Sequence, residues 1–441
     1  MKFHTVRQHL ICTLGLSVLT VAMMIDQAHA GEAENDSTPN WKEETLTGDW
    51  NGMRTSFYKS GVEMGLVHKT DVFSNTSGGI KRGTAWLGQT EATLDLDFEK
   101  LLGWNSTTAH VAYYSDLGSK FNQHYVGAFI GVDNIEAGTN TAQFYNAWVE
   151  KSFLNDSLSL KGGLYSIDSE FYTTETSSEF LSPPFGSMAN DIGQTDTPSI
   201  SPFGALGLRV KYTSPNKSFY MQGAVTDGVA GDPNHPRGTH IRLGHGEGTL
   251  SIVEFGLTPQ AEASSSEPDV QANKEESEIF NKTAIGFWRY SRKFDDVIDT
   301  DSLGNPKRRH SQGAYFLAER TLMVEQGHAS QGLSGFMRFG TASESVNQAV
   351  WTTSLGLRYH GLISGRDDDI AGVAVTVNHN GDKFRRANGG ESTETDLELN
   401  YRAKINGWFI LQPNVQYIIN PGMDTSLKNA FVVGLHAEVN F

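Results

Sequence analysis

One cysteine, Cys12, stands in a chain of 441 residues. A single thiol excludes a disulfide framework and a thiolate zinc site. Past the extreme N-terminus there is no run of roughly 18 consecutive apolar residues, which excludes a bundle of membrane helices. Basic charge is also short: 35 Lys and Arg face 51 Asp and Glu, a net charge of −16. That balance argues against a nucleic-acid partner, because phosphate neutralisation needs clustered Lys and Arg. Proline is scarce at 13 residues, whereas glycine reaches 46 and aromatics 10%. This composition points to many short strands and turns rather than disorder.

Residues 1–30 read as an export signal. Lys2 and Arg7 precede an apolar run over 10–25, and the segment ends Gln27-Ala28-His29-Ala30. A basic start, a short apolar centre and an Ala-x-Ala exit form the secretory pattern, with cleavage after Ala30. A membrane anchor is the competing reading, but the run is short and Asp26 sits in its tail. Cys12 lies at the front of the run, so it does not mark a lipoprotein. Cleavage leaves a chain without cysteine that works outside the cytoplasm.

The body alternates with period two. Phe431, Val433, Leu435, Ala437, Val439 and Phe441 share one face, and Gly434, His436, Glu438 and Asn440 share the other. Such alternation marks a strand with one apolar and one polar face. Leu397, Leu399, Tyr401 and Ala403 oppose Asp396, Glu398, Asn400 and Arg402, and Leu206, Leu208, Val210 and Tyr212 oppose Gly207, Arg209 and Lys211. A soluble sandwich would bury the apolar face; a transmembrane barrel would turn it to lipid. Many of these strands run about nine to eleven residues, the length that a tilted strand needs to cross a bilayer. The charges fall on the polar faces, as a wet lumen allows. The reading is therefore all-β: a transmembrane antiparallel barrel of about sixteen strands, one domain over 62–441, preceded by a short N-terminal periplasmic segment over 31–61.

The predicted strands start near Val62, Gln89, Thr107, Gln143, Ser157, Gly204, Lys217, Thr249, Lys282, Ser311, Gln331, Val350, Asp369, Thr393, Phe409 and Asn429. Connections after strands four, six and fourteen read as tight; those after three, five, seven and nine read as long. Short inner turns alternating with long outer loops is the bacterial pattern. The connection over 259–281 breaks it: either it is a periplasmic insertion, or the strand count is off at that point. Sixteen strands leave an aqueous channel, so passive passage of small hydrophilic solutes is the default function. The longest connection, 167–203, would be the third outer loop; folded inward, it would narrow the pore and make it selective.

Several segments resemble the carbohydrate-selective porins of the OprB type, from Gram-negative outer membranes. They are Gly48-Asp49-Trp50-Asn51-Gly52-Met53-Arg54-Thr55, Leu94-Asp95-Leu96-Asp97-Phe98-Glu99-Lys100-Leu101-Leu102-Gly103-Trp104, Asp168-Ser169-Glu170-Phe171 and Leu411-Gln412-Pro413-Asn414-Val415-Gln416-Tyr417. The resemblance runs from about Gly48 to Phe441. It implies a sixteen-stranded barrel and uptake of glucose and other sugars by facilitated diffusion. Asn51 departs from it, standing where that family usually has glycine.

A sugar site needs charged or amide groups for bidentate hydrogen bonds, plus aromatic faces for stacking. The candidates for pore lining are Lys81, Arg82, Trp148, Glu150, Lys161, Tyr165, Glu170 and Arg209. Lys81 and Arg82 would reach the constriction from the first outer loop, a segment that is also basic in the resembling family. Glu170 would pair an arginine at the mouth of the third loop. Trp148 and Glu150 share a face, and Lys161 and Tyr165 should meet water. Around Leu46–Tyr58, apolar residues at helical spacing suggest a short helix plugging the inner end. His235, His240 and His245 recur at equal spacing, but loop histidines are the simpler reading, and no metal or other cofactor is expected. Lys307, Arg308 and Arg309 could meet lipopolysaccharide phosphates, so outer-membrane lipid joins small carbohydrates as an expected partner. No Gly-x-Ser-x-Gly elbow or His-Glu-x-x-His helix is present, which argues against an enzyme. The rival function is a general diffusion porin with a mild cation preference, which the acidic faces favour.

Overall fold

A sheet in hydrocarbon must pair every backbone N–H and C=O, and only closure removes its edges. The computed structural model describes residues 38–188, 191–244, 246–259 and 279–441, and sixteen antiparallel strands form one closed ring. The strands are β1 (Val62–Gly79), β2 (Gly83–Asp97), β3 (Thr107–Gly118), β4 (Thr141–Phe153), β5 (Leu158–Tyr165), β6 (Ala205–Thr213), β7 (Phe219–Asp227), β8 (Thr249–Leu257), β9 (Asn281–Thr300), β10 (Pro306–Glu325), β11 (His328–Thr341), β12 (Ala349–His360), β13 (Ile370–Asn380), β14 (Thr393–Asn406), β15 (Phe409–Ile419) and β16 (Lys428–Asn440). Each strand pairs with its chain neighbours, and β1 closes on β16 with Val72 opposite Leu435. The chain divides into Met1–Pro39 and Asn40–Phe441, and every strand belongs to the second unit. The expected export signal and residues 260–278 of the expected insertion lie outside the described residues.

The faces are oriented as the alternation requires. Leu208 is 70% exposed, while its neighbour Arg209 is 2% exposed. The apolar side chains therefore point out of the barrel and the charges point in. Strands begin within three residues of the predicted starts except β2 and β10, which start earlier. The connection after β9 is a correction. Only five residues, 301–305, join β9 to β10; the expected loop is taken up by two 20-residue strands that project as a hairpin.

The inner end carries the N-terminal segment. It is not one helix: α1 (Trp41–Glu44) and α2 (Met53–Lys59) are separated by a tight turn at Trp50–Gly52. Asn51 sits there at φ 59°, ψ 36°, and Gly52 follows at φ 90°. Asparagine is among the few residues that enter the left-handed region readily, so it can stand where a relative has glycine. Between them, α1, the turn and α2 hold the buried Arg54 at the seam of β1 and β16. Arg54 Nη2 donates to the carbonyls of Phe441 at 2.6 Å and Met64 at 3.4 Å, and its guanidinium lies over the rings of Trp41 and Trp50.

The barrel is not hollow throughout. Residues 166–188 and 191–204, between β5 and β6, enter the lumen with three short 3₁₀ turns. Ile167, Phe171, Tyr172, Met188 and Ile192 pack there against Leu250, Ile252, Trp288, Tyr290, Tyr315 and Leu317 of the wall. On these strands some inward positions are apolar, which blurs the alternation. A second cluster joins Phe121, Val126, Val132 and Ile135, between β3 and β4, to Phe73, Ile418 and Val432 of the wall. Inward glycines make room for such contacts. A Cβ at Gly340 would lie 2.2 Å from the Asp191 carboxylate.

Candidate functional site

Strand register assembles a row of charge on β4, β5 and β6. Glu150 stands opposite Lys161, and Lys161 opposite Arg209. All three point inward because they share the parity of the polar faces. Glu170, from the third outer loop, completes the row. Arg209 Nε donates to Glu170 Oε2 at 3.0 Å and Arg209 Nη2 to Glu170 Oε1 at 2.8 Å, a bidentate pair. Arg209 Nη2 also donates to Glu150 Oε1 at 2.8 Å. Lys161 Nζ lies 2.9 Å from Glu170 and 3.2 Å from Glu150. Two cations and two acids thus neutralise one another within a buried network, where charge-assisted bonds are strong. The expected arginine partner of Glu170 is present.

Trp148 faces the lumen, but its ring is engaged. Lys161 Nζ sits 3.9 Å from the ring centroid, and His110 stacks on it at 5.3 Å. Lys161 and Tyr165 correct the expectation that both meet water: Lys161 is buried at 6% exposure among its acids, and Tyr165, at 1%, lies within the apolar cluster beneath the third loop. Lys81 and Arg82 are exposed in the turn between β1 and β2, and Lys81 lies over the Tyr125 ring. The structure does not bring this pair to the charged row.

The wall acids are anchors. Glu254 of β8 accepts from the Tyr172 N–H at 2.9 Å. Glu319 of β10 accepts from the Thr176 N–H at 3.1 Å. Glu398 of β14 accepts from the N–H groups of Leu181 and Ser182, both at 2.8 Å. Arg338 of β11 donates to the carbonyls of Phe185 and Ser187. Four strands therefore hold the backbone of one loop. Sequence reasoning placed Glu398 on a polar face but missed this role, because its partners are backbone groups that leave no side-chain signal.

Two cavities flank the loop. One, of about 530 Å³, is lined by Lys69, Gln89 and Tyr114 of the wall and by Lys120, Glu136 and Phe180 of the loops. The other, of about 680 Å³, lies towards the inner end, where Phe280 and Arg358 line it. Both touch Ser177, Ser178 and Gly186. In the first, Tyr114 donates to Glu91 at 3.0 Å and stacks on Tyr145 at 4.4 Å. Of the lining residues, Arg358 was read from sequence as a polar-face arginine, whereas Lys69 and Gln89 carry no motif beyond their inward parity. Glu136, in the loop between β3 and β4, is pushed up to about 7 by burial, against the N–H bonds from Asn122 and Gln123 that favour its carboxylate. Among the described residues no group of three His, Cys, Asp or Glu side chains is placed to hold a metal. His235 instead meets Asp232 at 2.9 Å, and His245 lies outside the described residues.

Comparison with known proteins gives a consistent result. The family model described as "Carbohydrate-selective porin, OprB family" matches residues 81–441. Porin B of Pseudomonas aeruginosa is 24% identical over 94% of this chain and 94% of its own. The high-pH structure of Pseudomonas putida OprB superposes with a TM-score of 0.80 at 21% identity, covering 91% of this chain and 99% of that one. The low-pH structure of the same protein covers the same shares at 18% identity, with a TM-score of 0.57.

Proposed function

The chain belongs to the OprB family of carbohydrate-selective porins, β-barrels of the Gram-negative outer membrane, and from that premise we propose that its inward-folded third loop narrows the lumen to a gate for small neutral sugars such as glucose. Transport is facilitated diffusion, driven by the solute gradient alone. The observation that carries the gate is the set of Glu254, Glu319 and Glu398 anchors, which keep residues 172–182 inside the barrel between two cavities. A solute crossing such a passage sheds water and exchanges it for side-chain contacts.

Charge balance favours sugars over ions. In the row of Glu150, Lys161, Glu170 and Arg209 the formal charges cancel. The wall acids that suggested a cation preference are held on loop N–H groups, so they offer less field to a passing cation. Hydroxyl-rich solutes meet donors and acceptors at Gln89, Tyr114 and Lys120, with Phe180 as an apolar surface. Lys161 and Arg209 act through this row, and Glu150 and Glu170 hold them in position. Lys81 and Arg82, at the outer rim, serve the approach of solute rather than the gate.

Liposome swelling with purified protein tests the proposal. Glucose and other hexoses should enter faster than amino acids of similar size and faster than small salts. Equal rates for sugars and size-matched controls would leave a general diffusion pore.

A further inference from the structure

The barrel's outer wall carries a feature that diffusion through the lumen does not use. On β8 to β11 a notch of about 630 Å³ opens on the lipid-facing side. Its lining includes the apolar Val253 and Phe287, the small Ser251 and Ala314, and the polar Arg289 and Gln312. The notch forms where β10 and β11 part: their pairing ends at Tyr315 opposite Gly340, and the Thr341 hydroxyl and the Ala314 N–H bond at 3.1 Å instead.

Position along the strand sets its height. The eleven residues 314–324 of β10 are about the length that spans the hydrocarbon. Their outward side chains include Phe316, Arg320 and, past the irregularity at Leu322, Met323, and Arg320, Leu322 and Met323 are exposed. Gln312 follows at the outer end, opposite Arg289 of β9. Continuing outward on β9, Ile285 and Phe287 give way to Arg289, Ser291 and Lys293, all on the same face. Arg289 and Lys293 are exposed, and neither has an acidic partner among the described residues. His310 pairs across from Lys293, and the nearby acid Asp295 is held by Arg308 at 2.9 Å. A hydrocarbon-facing notch and two exposed cations therefore meet at the level where headgroups of the outer leaflet lie.

We propose that this notch is a binding site for a phosphorylated glycolipid of the outer leaflet, with one acyl chain against Val253, Ala314 and Phe287 and a phosphate between Arg289 and Lys293. Apolar surface gives the chain its place, and the two cations give the selectivity for phosphate.

Native mass spectrometry on the detergent-purified barrel tests it, with diphosphorylated lipid A and the same lipid stripped of phosphate as probes. The wild type should retain one lipid A per barrel and hold it more tightly than the stripped lipid. Arg289→Gln and Lys293→Gln should each weaken retention roughly fivefold, and about 25-fold together. Ala314→Phe, which fills the notch, should weaken both lipids alike. Unchanged sugar flux would show each variant to be folded. Retention of lipid A by the double variant at the wild-type level, or equal retention of the stripped lipid by the wild type, would overturn the assignment.

Discussion

At the scale of single residues, the charged row is held by reciprocal contacts that tolerate no lone deletion. Glu170→Gln leaves Lys161 and Arg209 facing Glu150 alone. Removing one partner of a buried ion pair costs about 3 kcal/mol, the lower end applying because Glu170 is partly exposed. The variant should unfold at a lower temperature in heat-modifiability gels, and its single-channel reversal potential should move towards anions. Glu136 sets a pH dependence. Its pKa is raised to about 7 by burial, above the unfolded value near 4.3. A raised acid stabilises its site fully below the unfolded pKa, and that contribution is lost as pH rises through the folded pKa. The amides between β3 and β4 should therefore show lower protection factors, which discount the intrinsic rise of exchange with pH, at pH 8 than at pH 5. Glu136→Gln should abolish the difference; a pH effect that persists in the variant would assign it to another group.

At the scale of elements, the N-terminal segment and the β9–β10 hairpin depart furthest from the sequence reading. Helical spacing over residues 46–58 was a correct local signal for α2, yet Asn51 and Gly52 interrupt it in the left-handed region. Arg54 then ties β1 to the C-terminal Phe441, and the Leu46 N–H donates to Asn440 at 2.8 Å. This segment clasps the seam where the first strand meets the last. Arg54→Ala should cost about 1–3 kcal/mol, the penalty for buried groups left unpaired. The loss should appear as a lower unfolding midpoint with unchanged conductance in barrels that remain folded. In the hairpin, a connection read as a loop proved to be strand, because polar side chains beyond the membrane interface do not interrupt backbone pairing.

At the scale of the molecule, closure makes the lumen, and Val72 opposite Leu435 gives a direct handle on it. With Cys12 the sole native cysteine, the pair Val72→Cys and Leu435→Cys should oxidise to an internal disulfide in the folded barrel. Absence of that bridge under oxidising conditions would contradict a β1–β16 seam. Strand number, strand polarity and the outward apolar face were legible in the sequence, because period-two alternation is a local property that lipid and water enforce at every residue. The inward parity of Glu150, Lys161 and Arg209 was legible for the same reason. Which side chains meet was decided only by the tertiary structure. Register brought three strands into one row, the third loop delivered Glu170 to it, and Glu254, Glu319 and Glu398 found backbone N–H groups more than 80 residues away in the chain. Such pairings depend on how a loop folds back through space, which no local pattern of residue types encodes.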